Sequence, residues 1–118
     1  MKVISATTHG ILDYLTVAIF LLAPSLLGLG GVAARLSYSL AVIHLTMTLL
    51  TDMPLGLIKL IPMTLHAFVE MLVGPALFAS ALLLPPIFGG GREFFLVMGF
   101  VIFAVWLLSD YAKLITAH

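Results

Sequence analysis

Residues 4–27, ISATTHGILDYLTVAIFLLAPSLL, and residues 62–84, PMTLHAFVEMLVGPALFASALLL, decide the fold of this chain. Each is an apolar run long enough, at about 1.5 Å per residue, to cross a hydrocarbon core of about 30 Å as a helix. Each also carries an ionisable pair at the same spacing, His9-x-x-x-Asp13 in the first and His66-x-x-x-Glu70 in the second. A spacing of four puts both side chains on one helix face, with Cβ atoms about 6 Å apart. A charged side chain at membrane depth costs on the order of 3 kcal/mol or more unless it is compensated. The pairs therefore predict two polar stripes that meet compensating groups inside a bundle.

Outward from these runs the chain keeps the same character. Of its 118 residues 63% are apolar and 8% are charged, against roughly half and a quarter in a soluble domain, so the bilayer is the expected solvent. Four hydrophobic stretches can be read: about Ile4 to Leu27, Ala33 to Leu50, Pro62 to Leu84 and Phe94 to Ile115. They span about 27 to 36 Å as helices. Their long unalternating runs exclude a β-barrel, and the short connections leave no room for a soluble domain. We expect an all-α, four-transmembrane-helix bundle forming one membrane domain over residues 1–118. A net charge of zero, with no basic patch, argues against nucleic acid as a partner. Absence of cysteine removes disulfides, thiolate metal sites, iron–sulfur clusters and c-type haem attachment. Lys2 and the apolar run Leu15 to Ala23 resemble a signal peptide. The ionisable pair ahead of that run, echoed in the second half of the chain, predicts that the segment is retained.

The two halves repeat each other. His9 and Asp13 fall on His66 and Glu70 at an offset of 57, Arg35 falls on Arg92 at the same offset, and Thr51-Asp52 falls on Ser109-Asp110 at 58. Each half (about residues 4–52 and 62–115) is then a helix pair, and the copies are parallel, related by an axis along the membrane normal. The turns after the first and third helices read PSLLGLGGVAAR and PPIFGGGR, which predicts a third helix one turn longer than the first. Pro24, Pro85 and Pro86 mark one side of the membrane, together with Arg35 and Arg92 as interface anchors. Both termini and Lys2, Lys59 and Lys113 fall on the other side. Counting positive residues places the termini in the cytoplasm, with the bacterial inner membrane as the location. Residues Met53 to Ile61 are expected along that near interface. Ser37/Ala41 and Ala76/Ser80, as small-x-x-x-small pairs, predict close helix approach.

Depth sorts the polar residues into two layers. His9, His66 and Asp110 lie about 6 Å inside the near ends of their helices, and Asp13, Glu70 and His44 about 12 to 14 Å inside. These six are the candidate ligands. Asp52, Tyr14 and Tyr111 are expected at the mouth of the site, with Thr48 and Thr51 as further hydrogen-bonding groups. His44 has no counterpart in the other half, where Ile102 stands at its position.

The strings THGILDYL (Thr8 to Leu15), LLAPSLLG (Leu21 to Gly28) and TDMPLGLIKLIPMTLH (Thr51 to His66) resemble the SPW-repeat family of small bacterial integral membrane proteins. In that family each repeat has two transmembrane helices, with a Ser-Pro-Trp motif ending the first. Here Ala23-Pro24-Ser25 and Leu84-Pro85-Pro86 keep only its proline. The resemblance implies a four-helix membrane protein and no particular activity.

Function is expected at the polar stripes: a buried histidine–carboxylate cluster binding a proton, a metal ion or a small polar ligand. Nitrogen and oxygen donors without sulfur favour zinc, iron or manganese. A b-type haem held by His9 and His66 is a less favoured cofactor. The competing expectation is a structural or accessory subunit, in a homo-oligomer or a larger membrane complex, whose polar residues only pair helices. Nothing resembles a nucleophile motif or a phosphate-binding loop, so an enzyme is not expected.

Overall fold

The computed structural model describes residues 4–109, and within them the chain is a bundle of four long helices. They are α1 (Ala6–Leu26), α2 (Gly31–Leu50), α3 (Met63–Leu83) and, after a short helix α4 (Pro85–Phe88) and a 3₁₀ turn (Gly89–Gly91), α5 (Arg92–Leu108). All four are long and apolar enough to cross a membrane, the last counted from Pro86 to Leu108. Large apolar side chains project outward from every one, among them Leu22, Val42, Leu72 and Phe100. A soluble protein does not expose apolar surface on this scale; the chain is a multi-pass membrane protein.

The chain forms two antiparallel hairpins, α1 against α2 and α3 against α5. Because lipid tails are as apolar as leucine, close packing and interhelical hydrogen bonds hold such a bundle together. In the first hairpin Ala33, Ser37 and Ala41 form the buried stripe of α2, and Ser37 Oγ donates to Phe20 O at 2.6 Å. That carbonyl is free because Pro24, four residues on within α1, has no N–H to give it. The second hairpin shows the same remedy. Ala81 O lies four residues before Pro85 and accepts from Arg92 Nε at 2.9 Å, so Arg92 ties down the far end of α3. The close approach of α3 and α5 is made by Gly74 and Gly99. A Cβ on Gly99 would lie 2.6 Å from Phe78 N and 2.9 Å from Gly74 O. Ala76 is exposed and Ser80 only half-buried. The expected Ala76/Ser80 contact is thus replaced by the Gly74/Gly99 contact, because only a residue without Cβ lets the two backbones come this near.

Two further expectations are corrected. The first and third helices are both 21 residues long. Pro24 is absorbed into the last turn of α1, whereas Pro85 opens α4, so a longer proline spacing does not lengthen α3. The chain leaves α1 through Gly28, whose φ of +66° suits glycine; Leu29 N–H closes the turn on Pro24 O at 3.0 Å. The fourth long helix begins at Arg92 rather than Phe94, and residues 110–115 of the expected stretch lie outside those described.

At the other end, the segment from Thr51 to Pro62 folds back over the end of α2. Leu57 and Ile58 donate their N–H groups to Leu49 O, and Leu60 and Ile61 donate theirs to Leu50 O. These bonds satisfy carbonyls that a helix end leaves without partners. Met53 is fully buried against Met63, while Leu57, Ile58 and Leu60 remain exposed. The apolar core of Val17, Phe20, Leu77, Phe95 and Met98 fills the rest of the bundle.

Candidate metal centre

The buried residues of α1 recur as His9, Asp13, Thr16, Val17 and Phe20, and those of α3 as Met63, His66, Glu70, Gly74 and Leu77. This is the three-and-four spacing of one helix face. Each ionisable pair therefore occupies the inward face of its helix, near the helix start. Side chains on a helix lean toward its N-terminus, so Asp13 and Glu70 reach back toward the histidines one turn before them. The two expected layers close into one cluster. His9, Asp13, His66 and Glu70 are all buried, and their side chains meet between the two hairpins.

His9 Nε2 lies 3.1 Å from Asp13 Oδ2 and 3.3 Å from Glu70 Oε1. His66 Nε2 lies 3.1 Å from the same Asp13 oxygen and 2.8 Å from the same Glu70 oxygen. One ligand atom from each of the four residues thus falls within 4.8 Å of all the others. Donors about 2.0–2.1 Å from a tetrahedral ion stand about 3.3–3.4 Å apart; the four histidine–carboxylate edges lie at or inside that size, while the set as a whole spans up to 4.8 Å, so it is flatter than a regular tetrahedron. Asp13 Oδ2 is buried and, among the described residues, is in hydrogen-bonding geometry with neither imidazole, although both Nε2 atoms stand 3.1 Å away.

The opposite ring nitrogens are fixed in the same way in both halves. His9 Nδ1 lies 2.8 Å from Ser109 Oγ, and His66 Nδ1 lies 2.8 Å from Thr51 Oγ1. Ser109 Oγ donates its proton to Val105 O, and Thr51 Oγ1 donates its own to Met47 O. A hydroxyl has one proton to give, so toward the imidazole each oxygen only accepts. Nδ1 must therefore carry a proton in both histidines, so that each ring, when neutral, aims its Nε2 lone pair at the carboxylates. An imidazole whose Nδ1–H is held by a fixed acceptor is the usual setting of a metal-ligating histidine.

Local structure explains the position of the two hydroxyls. Thr51 and Ser109 are the residues that end α2 and α5, both in extended conformation. Each forms a parallel bridge to the strand-like residue before the facing helix, Thr51 with Ile61 and Ser109 with Ile4. Ile61 N–H donates to Leu50 O at 2.7 Å and Ile4 N–H to Leu108 O at 3.1 Å. The same set of bonds thus occurs twice. Each histidine takes its hydroxyl from the other hairpin, His9 on α1 from the end of α5 and His66 on α3 from the end of α2.

The remaining candidates take other places. His44 stands beside the four, with Nε2 3.4 Å from Asp13 Oδ1 and its ring centre 6.5 Å from that of His66. It faces the carboxylate oxygen that points away from the cluster. The Tyr14 hydroxyl donates to Leu55 O at 2.8 Å and holds the 51–62 segment against α1. Asp52 lies in that segment with its N–H on Ile61 O. Asp110 and Tyr111 lie outside the described residues. Thr48 Oγ1 bonds to His44 O within α2. Sequence reasoning does not single out Ser109: its alignment with Thr51 at an offset of 58 is the available signal, but the expected fourth stretch runs on to Ile115 and places it inside a helix.

No family model, curated protein or solved structure matches the chain.

Proposed function

We propose that this membrane protein holds one divalent metal ion through His9 Nε2, His66 Nε2, Asp13 Oδ2 and Glu70 Oε1. The observation that carries this reading is the pair of Nδ1 contacts: two hydroxyls that have already spent their protons fix both imidazoles with Nε2 toward the same two carboxylate oxygens. Two buried carboxylates bring two negative charges, and a divalent ion makes the site neutral at a depth where residual charge is costly. Two imidazoles and two carboxylates suit zinc, iron(II) or manganese(II). A b-type haem fits poorly, because Asp13 and Glu70 stand within 3.3 Å of both Nε2 atoms, where a porphyrin plane would have to pass. Location in a bacterial inner membrane, a site near the cytoplasmic face, kinship with the SPW-repeat family, origin by duplication and assembly into a homo-oligomer belong to the same proposal.

A second reading has one observation in its favour. His66 Nε2 and Glu70 Oε1 form a hydrogen bond of 2.8 Å, which an imidazolium would donate. Two imidazoliums balancing two carboxylates would make the cluster a proton store, or purely a helix-pairing device in an accessory subunit. Elemental analysis and an absorption spectrum of the protein in mild detergent separate the readings, with a His66→Ala/Glu70→Ala variant alongside. One equivalent of divalent metal, lost in the variant, is expected. A folded protein that carries no metal and takes up neither zinc, iron(II) nor manganese(II) would refute the metal reading and leave the ion-pair cage.

A further inference from the structure

Two small cavities adjoin the cluster on its inner side. The first, of about 10 Å³, is lined by Asp13, Thr16, His44, Glu70, Ile102 and Val105. The second, of about 30 Å³, shares His44, Glu70 and Ile102 with it and is otherwise walled by aliphatic and thioether side chains of α2 and α3. One water needs about 10–15 Å³ of such space and two to four polar partners. The first cavity supplies both. Thr16 Oγ1 donates to Leu12 O at 2.8 Å, which leaves its lone pairs to accept. His44 Nε2 is buried and has no hydrogen-bond partner among the described residues. Asp13 and Glu70, two of the four metal-binding side chains, form the remaining polar wall. A closed structural site needs no such space, whereas a reactive one keeps a position for an outside ligand.

Resting on the metal reading above, we propose that this cavity is an open coordination position, taking one exchangeable ligand of water size on the metal. Water or hydroxide is the resident ligand, and azide is able to replace it with one terminal nitrogen in the first cavity and the rest of the ion extending into the adjoining second one. His44 and Thr16 are positioning residues for that ligand, His44 from α2 and Thr16 from α1, one turn beyond Asp13, as a hydrogen-bond acceptor. The ligand arrives between α2 and α3 through the second cavity, past the shared side chains of His44, Glu70 and Ile102. The unmatched His44 acquires a role in this way: the other half has Ile102 at that position, which forms the apolar wall of the same cavity, so the cavity is polar on one side only.

The experiment uses the full-length protein in detergent loaded with cobalt(II), whose visible spectrum reports coordination number, titrated with azide. One equivalent of cobalt(II) should give a weak spectrum of more than four ligands, and azide should shift it with saturation at one equivalent. His44→Leu and Thr16→Val should keep the cobalt stoichiometry and weaken azide at least tenfold. An intense, azide-indifferent tetrahedral spectrum from stoichiometrically loaded wild-type protein would overturn the open position while leaving the metal site standing. Failure to bind cobalt(II) at all would overturn the metal reading and this inference with it. The wild-type titration decides the matter even if neither variant folds.

Discussion

Replacing Thr51 by valine keeps the shape of the side chain and removes one oxygen. That oxygen accepts the Nδ1–H of His66 at 2.8 Å and donates to Met47 O at the end of α2. His66 and Thr51 are both fully buried, so the imidazole N–H has no water to turn to. Leaving one buried donor unsatisfied costs about 1–3 kcal/mol. Loss of the partner that orients a metal-bound histidine typically costs about 10- to 100-fold in metal affinity. Ser109→Ala should do the same through His9, whose Nδ1 lies 2.8 Å from Ser109 Oγ. The assay is zinc competition against a chromophoric chelator in detergent, with thermal unfolding of the metal-free protein measured in parallel. We expect each single variant to bind zinc about 10- to 100-fold more weakly. The double variant should fall short of the summed losses, because both histidines share one ion and their effects couple. Unfolding that shifts in the metal-free variants while zinc affinity stays at the wild-type value would refute the reasoning. The two hydroxyls would then serve only to stabilise the helix ends.

Two further outcomes follow from the same structure. Gly99→Ala places a methyl group 2.6 Å from Phe78 N, and backbone cannot rotate away as a side chain can. The hairpin of α3 and α5 should lose about 1–3 kcal/mol, read as a lower midpoint in detergent unfolding; an unchanged midpoint would show that the hairpin is looser than described. Binding a metal requires deprotonated ligands and releases protons. Zinc affinity, and the part of thermal stability that zinc supplies, should therefore be present near neutral pH and fall as pH is lowered. Stability that is indifferent to added zinc at every pH between 5 and 8 would speak for the ion-pair cage.

Much of the fold was legible along the chain because the bilayer imposes a simple rule: a crossing segment must satisfy its own backbone, so a long apolar run becomes a helix. Ile4 to Leu27 and Pro62 to Leu84 matched α1 and α3 to within two residues at each end. The pairing of His9 with Asp13 and of His66 with Glu70 was legible for the same reason, since one helical turn fixes which side chains share a face. Contacts between helices were less so. Ser37 and Ala41 were recognised as a close-packing pair, but Ala76 and Ser80 follow the same spacing and are exposed and half-buried, respectively, because spacing alone does not say which face meets a neighbour. Tyr14, one residue from Asp13, turns to Leu55 for the equivalent reason.

By itself the sequence determined four membrane helices and two polar stripes, both consequences of local geometry and of the cost of charge in lipid. Only the tertiary structure decided that the two stripes face each other and merge into one cluster. It alone set His44 beside that cluster and gave each imidazole a hydroxyl from the opposite hairpin. Those facts depend on how the hairpins dock, and docking joins residues as far apart as His9 and Ser109 through contacts that no periodicity along a single helix encodes.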